Sequence, residues 1–428
     1  MNKDAKLYCQ WADRGLALHN SGGALLCCRS QTYLQDPQGQ QIYWHSHKFE
    51  DAWNSPTRRE IQDALTRGER HPNCVYCWQE EAAGKESHRQ LAIKEQHATI
   101  EDDEPYALLM DLKLGNICNL SCRTCNPWVS SKWYSDWWET IDRHKTNNNI
   151  PVFNGYKDYL NSCYKNGRLS YDIDNRQLWD QLSEWLPRAQ YIDIYGAEPM
   201  MIDPLFDALQ VSVDRGTAAN QHIHFNTNGT LWDDRKIQTL THFKKTFIDV
   251  SIDGLYDQFD YLRNGASWDT VIENLERYRP LFYEHRTRHR LSVNCTISVL
   301  NIFYLPEVWD YFQDRGLFVA WNIAQFPEHI STKSLPQATK SVIADKLLNH
   351  QSKKFPKMYT ALIQPVVAYM MEQLPEADAD RRWTDFVRIT TQLDQRRRQD
   401  FATTFPELWK LVQPYWQLPS LGSNTQTI

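Results

Sequence analysis

The sequence has no run of about 18 apolar residues, the length at which a bilayer-spanning helix becomes the natural reading, so no membrane span is predicted. Its first residues, Met1-Asn2-Lys3-Asp4-Ala5-Lys6, lead into no apolar signal region, and secretion is not expected. An excess of positive charge is also missing: 47 Lys and Arg against 53 Asp and Glu give a net charge of −6. Such a chain has no general attraction for nucleic acid, which is therefore not an expected partner. There is no internal repeat and no long low-complexity tract. What remains is an ordinary globular composition, 41% apolar and 23% charged over 428 residues, enough for two or three domains with sizeable cores. A cytoplasmic location is expected, where thiols stay reduced and clustered cysteines point to metal or redox chemistry rather than to disulfides.

Two residue types stand out. The 17 Trp and 21 Tyr serve either packing or the lining of a cleft, and composition does not separate these uses. The ten cysteines are more informative, because seven fall in patterned positions: Cys9, Cys27, Cys74, Cys77, Cys118, Cys122 and Cys125.

Residues 1–100 carry short strand-like pieces, Leu16–Leu18 and Ala24–Leu26, around the turn Asn20-Ser21-Gly22-Gly23, which predicts a hairpin. A charged helical stretch follows from Trp78 to Gln96. The acidic run Glu101–Pro105 reads as a solvated linker at a domain boundary near residue 100. From 106 to 330, β-rich runs alternate with helical patterns. The expected strands are Ala107–Leu114, Tyr191–Tyr195, His222–Thr227, Phe247–Ile252, Leu291–Ser298 and Leu317–Ile323. The expected helices are Trp128–Ile141, Pro204–Arg215, Asp233–Lys245, Trp268–His285 and Tyr304–Arg315. This rhythm predicts an α/β fold with a parallel sheet and right-handed crossovers. Six units fall short of a complete eight-fold barrel, so a partial (β/α)6 barrel or an open sheet is expected. An insertion at about 143–175 interrupts it, and 331–428 reads as a helical C-terminal region with a disordered tail from Ser420.

Cys118-Asn119-Leu120-Ser121-Cys122-Arg123-Thr124-Cys125 follows the first of these strands directly, at the strand end where parallel α/β folds place catalytic groups. Three thiolates on so short a loop suit one compact iron cluster, leaving one iron of a four-iron cube open. A structural zinc site would want a fourth protein ligand, and His144 is the nearest candidate downstream.

On these residues the sequence resembles the radical S-adenosylmethionine (SAM) superfamily, and the resemblance extends along successive strands. Tyr195-Gly196-Ala197-Glu198-Pro199 is similar to the family's Gly-Gly-Glu-Pro motif, which receives the amino group of SAM. Asn226-Thr227-Asn228-Gly229 and Ser251-Ile252-Asp253-Gly254 stand where the family binds ribose and the methionine carboxylate, and Thr296 stands near the adenine contact. The resemblance implies a [4Fe–4S] cluster on Cys118, Cys122 and Cys125, and SAM contacts from Gly196, Ala197, Glu198, Pro199, Asn226, Asn228, Ser251, Asp253 and Thr296. It further implies reductive SAM cleavage with hydrogen abstraction by a 5′-deoxyadenosyl radical, a reductant such as flavodoxin or ferredoxin, and an unidentified peptide or small-molecule substrate. Two departures stand out: Thr124 where many members have an aromatic residue, and Ala197 in place of the second glycine, a mild change if its φ is negative.

The N-terminal set Cys9, Cys27, Cys74 and Cys77 has the spacing C-x17-C-x46-C-x2-C. It resembles the twitch (SPASM-like) module that holds an auxiliary [4Fe–4S] cluster in several radical SAM families, here preceding the barrel rather than following it. An all-cysteine zinc site satisfies the same residues. Cys27 is chosen over Cys28, since alternation along a strand sends neighbours to opposite faces. Cys163 and Cys295 read as plain thiols, while Glu80, Glu81 and Arg89 read as a solvated helix face; the run Arg396–Arg398 could bind an anion, with a solvated helix face the preferred reading. His242, His285 and His289 show no ligand spacing. The alternative to an enzyme is a zinc- or iron–sulfur-binding scaffold protein.

Overall fold

The computed structural model describes residues 7–82, 84–95, 98–99, 106–136, 164–165, 168–169, 175–283 and 289–417. The acidic run 101–105, most of the insertion, Cys163, His144, His285 and the tail from 418 lie outside them. Ten strands are described: β1 Gly15–Leu18, β2 Ala24–Leu25, β3 Leu109–Leu112, β4 Tyr164–Lys165, β5 Arg168–Leu169, β6 Tyr191–Ile194, β7 His222–Thr227, β8 Lys245–Ser251, β9 His289–Ile297 and β10 Phe318–Ile323. Eight of them form one sheet in the order β10-β9-β8-β7-β6-β3-β1-β2. Pairs β3–β6, β6–β7 and β9–β10 are parallel. The fold is thus the expected mixed α/β class, with the six strands in chain order as in a partial barrel. Consecutive strands lie side by side because each helical crossover returns the chain by one position.

The predicted hairpin is present, with Ala17 opposite Leu25, but it does not close on itself as a separate module. β1 also pairs in parallel with β3, placing Ala17 beside Asp111. The chain divides into two compact units elsewhere than at residue 100: residues 1–118, 159–249 and 274–291 in the first, and 119–158, 250–273 and 292–428 in the second.

In the first unit, helix Asp203–Asp214 starts with Pro204 in its first turn, where the missing amide hydrogen costs nothing. It buries Leu205, Phe206, Ala208 and Leu209. Phe206 meets Phe225 of β7 edge-on at 5.8 Å, and each such buried side chain contributes about 1.5–3 kcal/mol. Trp11, Trp44 and Trp185 are wholly buried here, so these tryptophans serve packing. The helix expected to run to Lys245 stops at Thr241. Lys244 N–H instead bonds to the Ala218 carbonyl, and the Thr246 hydroxyl donates to the freed Leu240 carbonyl, so the reversal into β8 consumes these residues. The helix from Trp268 is regular to Tyr278 and becomes a π turn over Arg279–Tyr283. Pro280 lacks the amide hydrogen that the regular ladder requires.

In the second unit, Val293, Cys295, Ile297, Val308, Trp309, Phe312 and Val319 are buried. Helices Gln337–Asn349, Pro356–Met371 and Glu376–Arg397 bear out the expected helical C-terminal region.

Candidate active site

The loop leaving β3 carries the first cysteine cluster. In the first unit Cys118 is buried, and Asn228 Nδ2 lies 3.9 Å from its Sγ, a weak hydrogen bond to sulfur. Asn228 is itself fixed, its backbone N–H donating to Glu198 at 2.6 Å and its Oδ1 accepting from Thr230. Glu198 is fully buried and also accepts from the Thr227 hydroxyl at 2.8 Å and the Met200 amide at 3.0 Å. Asn226 Oδ1 is buried with no hydrogen-bond partner among the described residues. Gly196 has φ +81, and a Cβ there would fall 2.6 Å from Lys113 Cγ. Ala197 has φ +53, so the condition under which replacing the second glycine would be mild is not met. An L residue with a Cβ is strained in this left-handed region.

The second unit holds Cys122, Cys125, Ser251, Asp253 and Thr296. Trp133 Nε1 donates to the Cys122 carbonyl at 2.7 Å, and the amides of Ser121 and Arg123 donate to the carbonyls of Asn264 and Leu262, so the loop is pinned on both sides of the sulfur. A hydrogen bond from Cys125 lowers the Cys122 thiol below its ordinary pKa; burial opposes this, and the Arg263 guanidinium reinforces it. Asp253 is fully buried, accepts the Thr296 amide at 2.7 Å and pairs with Arg263 at 2.9 Å. Ser251 is partly buried at the end of β8.

Cys9, Cys27, Cys74 and Cys77 line one cavity of the first unit, walled by Trp11, Leu26, Leu65 and Trp78 with Arg29 and Arg89 among its lining residues. Cys77 lies in the first turn of helix Val75–Ala82, and Cys74 closes the short 3-10 turn before it. Burial pushes the Cys9 thiol up to about 11 and Cys74 to about 12, with Cys27 and Cys77 also raised. Coordination to a metal reverses this and deprotonates such thiols outright. Cys28 turns elsewhere, within 3.7 Å of His88 Nε2 and hydrogen-bonded to Asp111. Among the described residues no three His, Cys, Asp or Glu side chains are already arranged to hold a single metal ion. Arg89, read from sequence as solvated, pairs with Glu81 at 2.9 Å, each side chain 11% exposed, and its Nη1 donates to the Tyr8 carbonyl.

The sequence reading missed a buried polar row across the first unit's sheet. By register Asp111 of β3 sits beside Asp193 of β6, and Asp193 beside His224 of β7. His224 lies 3.0 Å from Asp193 and 3.0 Å from Asp249. Burial pulls its pKa down, but the flanking carboxylates outweigh this and hold it at about 10. Burial, with Asp193 beside it, pushes the Asp111 carboxyl well above its ordinary value. The signal was available: parallel strands buried on both faces read as apolar runs, and Leu109-Met110-Asp111-Leu112 and Tyr191-Ile192-Asp193-Ile194 each contain one carboxylate.

Residues 112–291 match the family model of the Radical SAM superfamily. The matched segment begins at the end of β3 and contains Cys118, Cys122, Cys125 and every expected SAM contact except Thr296. A comparison with curated proteins gives no match. Among solved structures, anSMEcpe with bound AdoMet and Cp18Cys peptide is 15% identical with a TM-score of 0.34, over 55% of this chain and 55% of that chain. Streptococcus suis SuiB bound to S-adenosylmethionine is 12% identical with a TM-score of 0.30, over 78% of this chain and 66% of that one. SuiB bound to the precursor peptide SuiA is 12% identical with a TM-score of 0.31, over 93% and 74%. The chain thus spans a little over half the length of the anSMEcpe structure. Likeness at this level bears on neither substrate nor partner.

Proposed function

We propose that this chain is a radical SAM enzyme acting on an unidentified peptide or polar metabolite. The observation that carries the reading is the family match itself, which encloses the cysteine loop and the polar strand ends in their expected order. Cys118, Cys122 and Cys125 would hold a [4Fe–4S] cluster, an assignment supported by the burial of Cys118 and Cys122 and by the hydrogen bond between Cys122 and Cys125. When bound, the cluster and SAM supply one-electron reduction and hydrogen-atom abstraction. Asn228 orients the Cys118 sulfur, and Trp133 and the flanking amides fix the backbone at Cys122. Glu198 ties the end of β6 to the end of β7 through Thr227 and Asn228. Gly196 lets the Lys113 side chain pack against the turn where a Cβ would collide with it, and Asn226 Oδ1 offers a buried acceptor.

The N-terminal cysteines are proposed to hold an auxiliary [4Fe–4S] cluster, supported by their shared cavity, its apolar walls and the neighbouring Arg29 and Arg89. A second reading is favoured by size. The cavity measures about 20 Å3, room for roughly one water-sized sphere, closer in size to a single zinc ion than to a four-iron cube, and the thiols would reorient to bind either one.

Both readings are tested on anaerobically purified, reconstituted protein. Dithionite and SAM should yield 5′-deoxyadenosine with the native chain and none with Cys122→Ala; equal yields would overturn the assignment. About four irons lost on Cys74→Ala would support the auxiliary cluster, whereas zinc lost with iron unchanged would establish the zinc reading.

A further inference from the structure

The run Arg396-Arg397-Arg398, expected to face solvent, does something else. Helix Glu376–Arg397 ends there, and Arg396 Nε and Arg397 Nε and Nη2 donate to Asp136 at 2.5, 3.0 and 2.8 Å. The Asp136 carboxylate is thereby committed to two guanidinium groups. Beside it, within the second unit, opens a cavity of about 580 Å3, inside the size range of small-molecule sites.

The charge in its wall is unbalanced. Lys132, Arg396 and Arg397 line it against the single carboxylate of Asp136. The neutral lining residues are donor-bearing: Asn119, Ser121 and Asn264. Asn264 Nδ2 donates to Ser121 Oγ at 2.8 Å, which leaves the Ser121 hydroxyl hydrogen for another acceptor.

A second observation points the same way. The Arg397 side chain is 4% exposed, and its Nη1 is buried with no hydrogen-bond partner among the described residues. A buried charged donor without a partner is expensive, and a guanidinium fork is the group best matched to a planar or tetrahedral oxyanion. None of Cys118, Cys122 and Cys125 lines this cavity.

We propose that the cavity is a binding site for an oxyanion, a carboxylate or phosphate group on a compact ligand, held by Arg397 with Lys132 and Arg396. The chain carries net negative charge, so this locally basic pocket concentrates anions that the rest of the surface repels. Through Ser121 the ligand would rest against the residue preceding Cys122, and its binding would stiffen the loop.

The test uses the reconstituted full chain, titrated calorimetrically with inorganic phosphate and with the peptide Gly-Gly-Glu at ionic strength fixed by chloride. Saturable binding of at least one probe is expected, weakened ten-fold or more in Lys132→Ala/Arg396→Ala and in Arg397→Gln, and partly kept in Arg397→Lys. Phosphate alone saturating identifies a phosphate ligand; the peptide saturating and displacing phosphate identifies a carboxylate. Absence of saturable binding above chloride, or equal affinity in all variants, overturns the proposal. Lys132 and Arg396 are exposed, so the double variant reports on the site even if Arg397→Gln unfolds. Iron content on the same samples reads the cysteine site separately, which keeps this outcome distinct from that of the radical SAM reading.

Discussion

Replacing Ala197 by glycine should make the protein more stable, although it adds a flexible residue. Ala197 sits at φ +53, directly after Gly196 at φ +81. Holding a Cβ in the left-handed region costs about 1–2 kcal/mol. Glycine removes that strain but gives the unfolded chain more freedom, worth about 0.5–1 kcal/mol in the other direction. The difference is a net gain of about 0.5–1 kcal/mol, or an unfolding midpoint raised by about 1–3 °C for a cooperative unit of this size. Gly196→Ala supplies the opposite sign from the same turn. Its new Cβ would carry the strain of φ +81 and also meet Lys113 Cγ at 2.6 Å and Cε at 3.1 Å, so a loss of at least about 1–2 kcal/mol is expected. Thermal melts of native protein and both variants read the two effects together. An Ala197→Gly midpoint at or below the native one would refute the reasoning, because the strain would then not be where φ places it.

His224 offers a pH test. Its folded pKa of about 10 lies above the ordinary 6.5, so its stabilising contribution is complete below pH 6.5 and is lost as pH rises toward 10. Native protein should lose stability across that window and His224→Gln should not do so to the same extent; parallel curves would count against the ion-pair row. Asp136→Asn leaves Arg397 buried without its carboxylate, and a loss of about 3 kcal/mol in chemical denaturation is expected, against under about 1 kcal/mol if the pair behaves as a surface one. Cys27→Ser should lower the metal content of the purified protein while Cys28→Ser leaves it unchanged, by elemental analysis; the reverse pattern would exchange their assignments.

The six core strands were legible because each is an apolar run followed by a polar strand end, and the turn at Gly22 and Gly23 marked the hairpin. Helix ends were less legible. Phe243 looks like one more apolar helical position, yet it is buried beyond the helix end, and nothing in its own residue type distinguishes the two placements. The ion-pair row was overlooked because a strand was sought as an apolar run, so Asp111 and Asp193 counted as interruptions rather than as partners across β3 and β6. Strand alternation was the wrong ground for separating Cys27 from Cys28, since β2 ends at Leu25 and both lie in the bend and turn that follow, yet the structure does give them different neighbours, the cavity for one and Asp111 for the other. The Arg396–Arg398 run was misread for a different reason: its partner Asp136 is 260 residues away in sequence from Arg396, and helical periodicity carries no information at that range.

The carboxylates at the strand ends show how a motif can be found correctly and its atoms still be assigned too simply. Glu198 and Asp253 were both expected to face SAM directly. In the first unit Glu198 already accepts from Thr227, Asn228 and Met200. In the second unit Asp253 accepts from Thr296 and pairs with Arg263, and its backbone carbonyl accepts from Asn301 Nδ2. A fully buried carboxylate is tolerable when donors and cations surround it, and both residues are 0% exposed. Each therefore holds neighbouring strand ends in place, whatever else it contacts. The contrast is Asn226, whose Oδ1 is buried and lacks a partner among the described residues. A neutral amide in that state is less costly to leave waiting than a charge, so it is better suited to meet a ligand that arrives and departs. At these strand ends the physical division follows: the ionised carboxylates Glu198 and Asp253 set the frame, and the atom left for a ligand, Asn226 Oδ1, is a neutral acceptor.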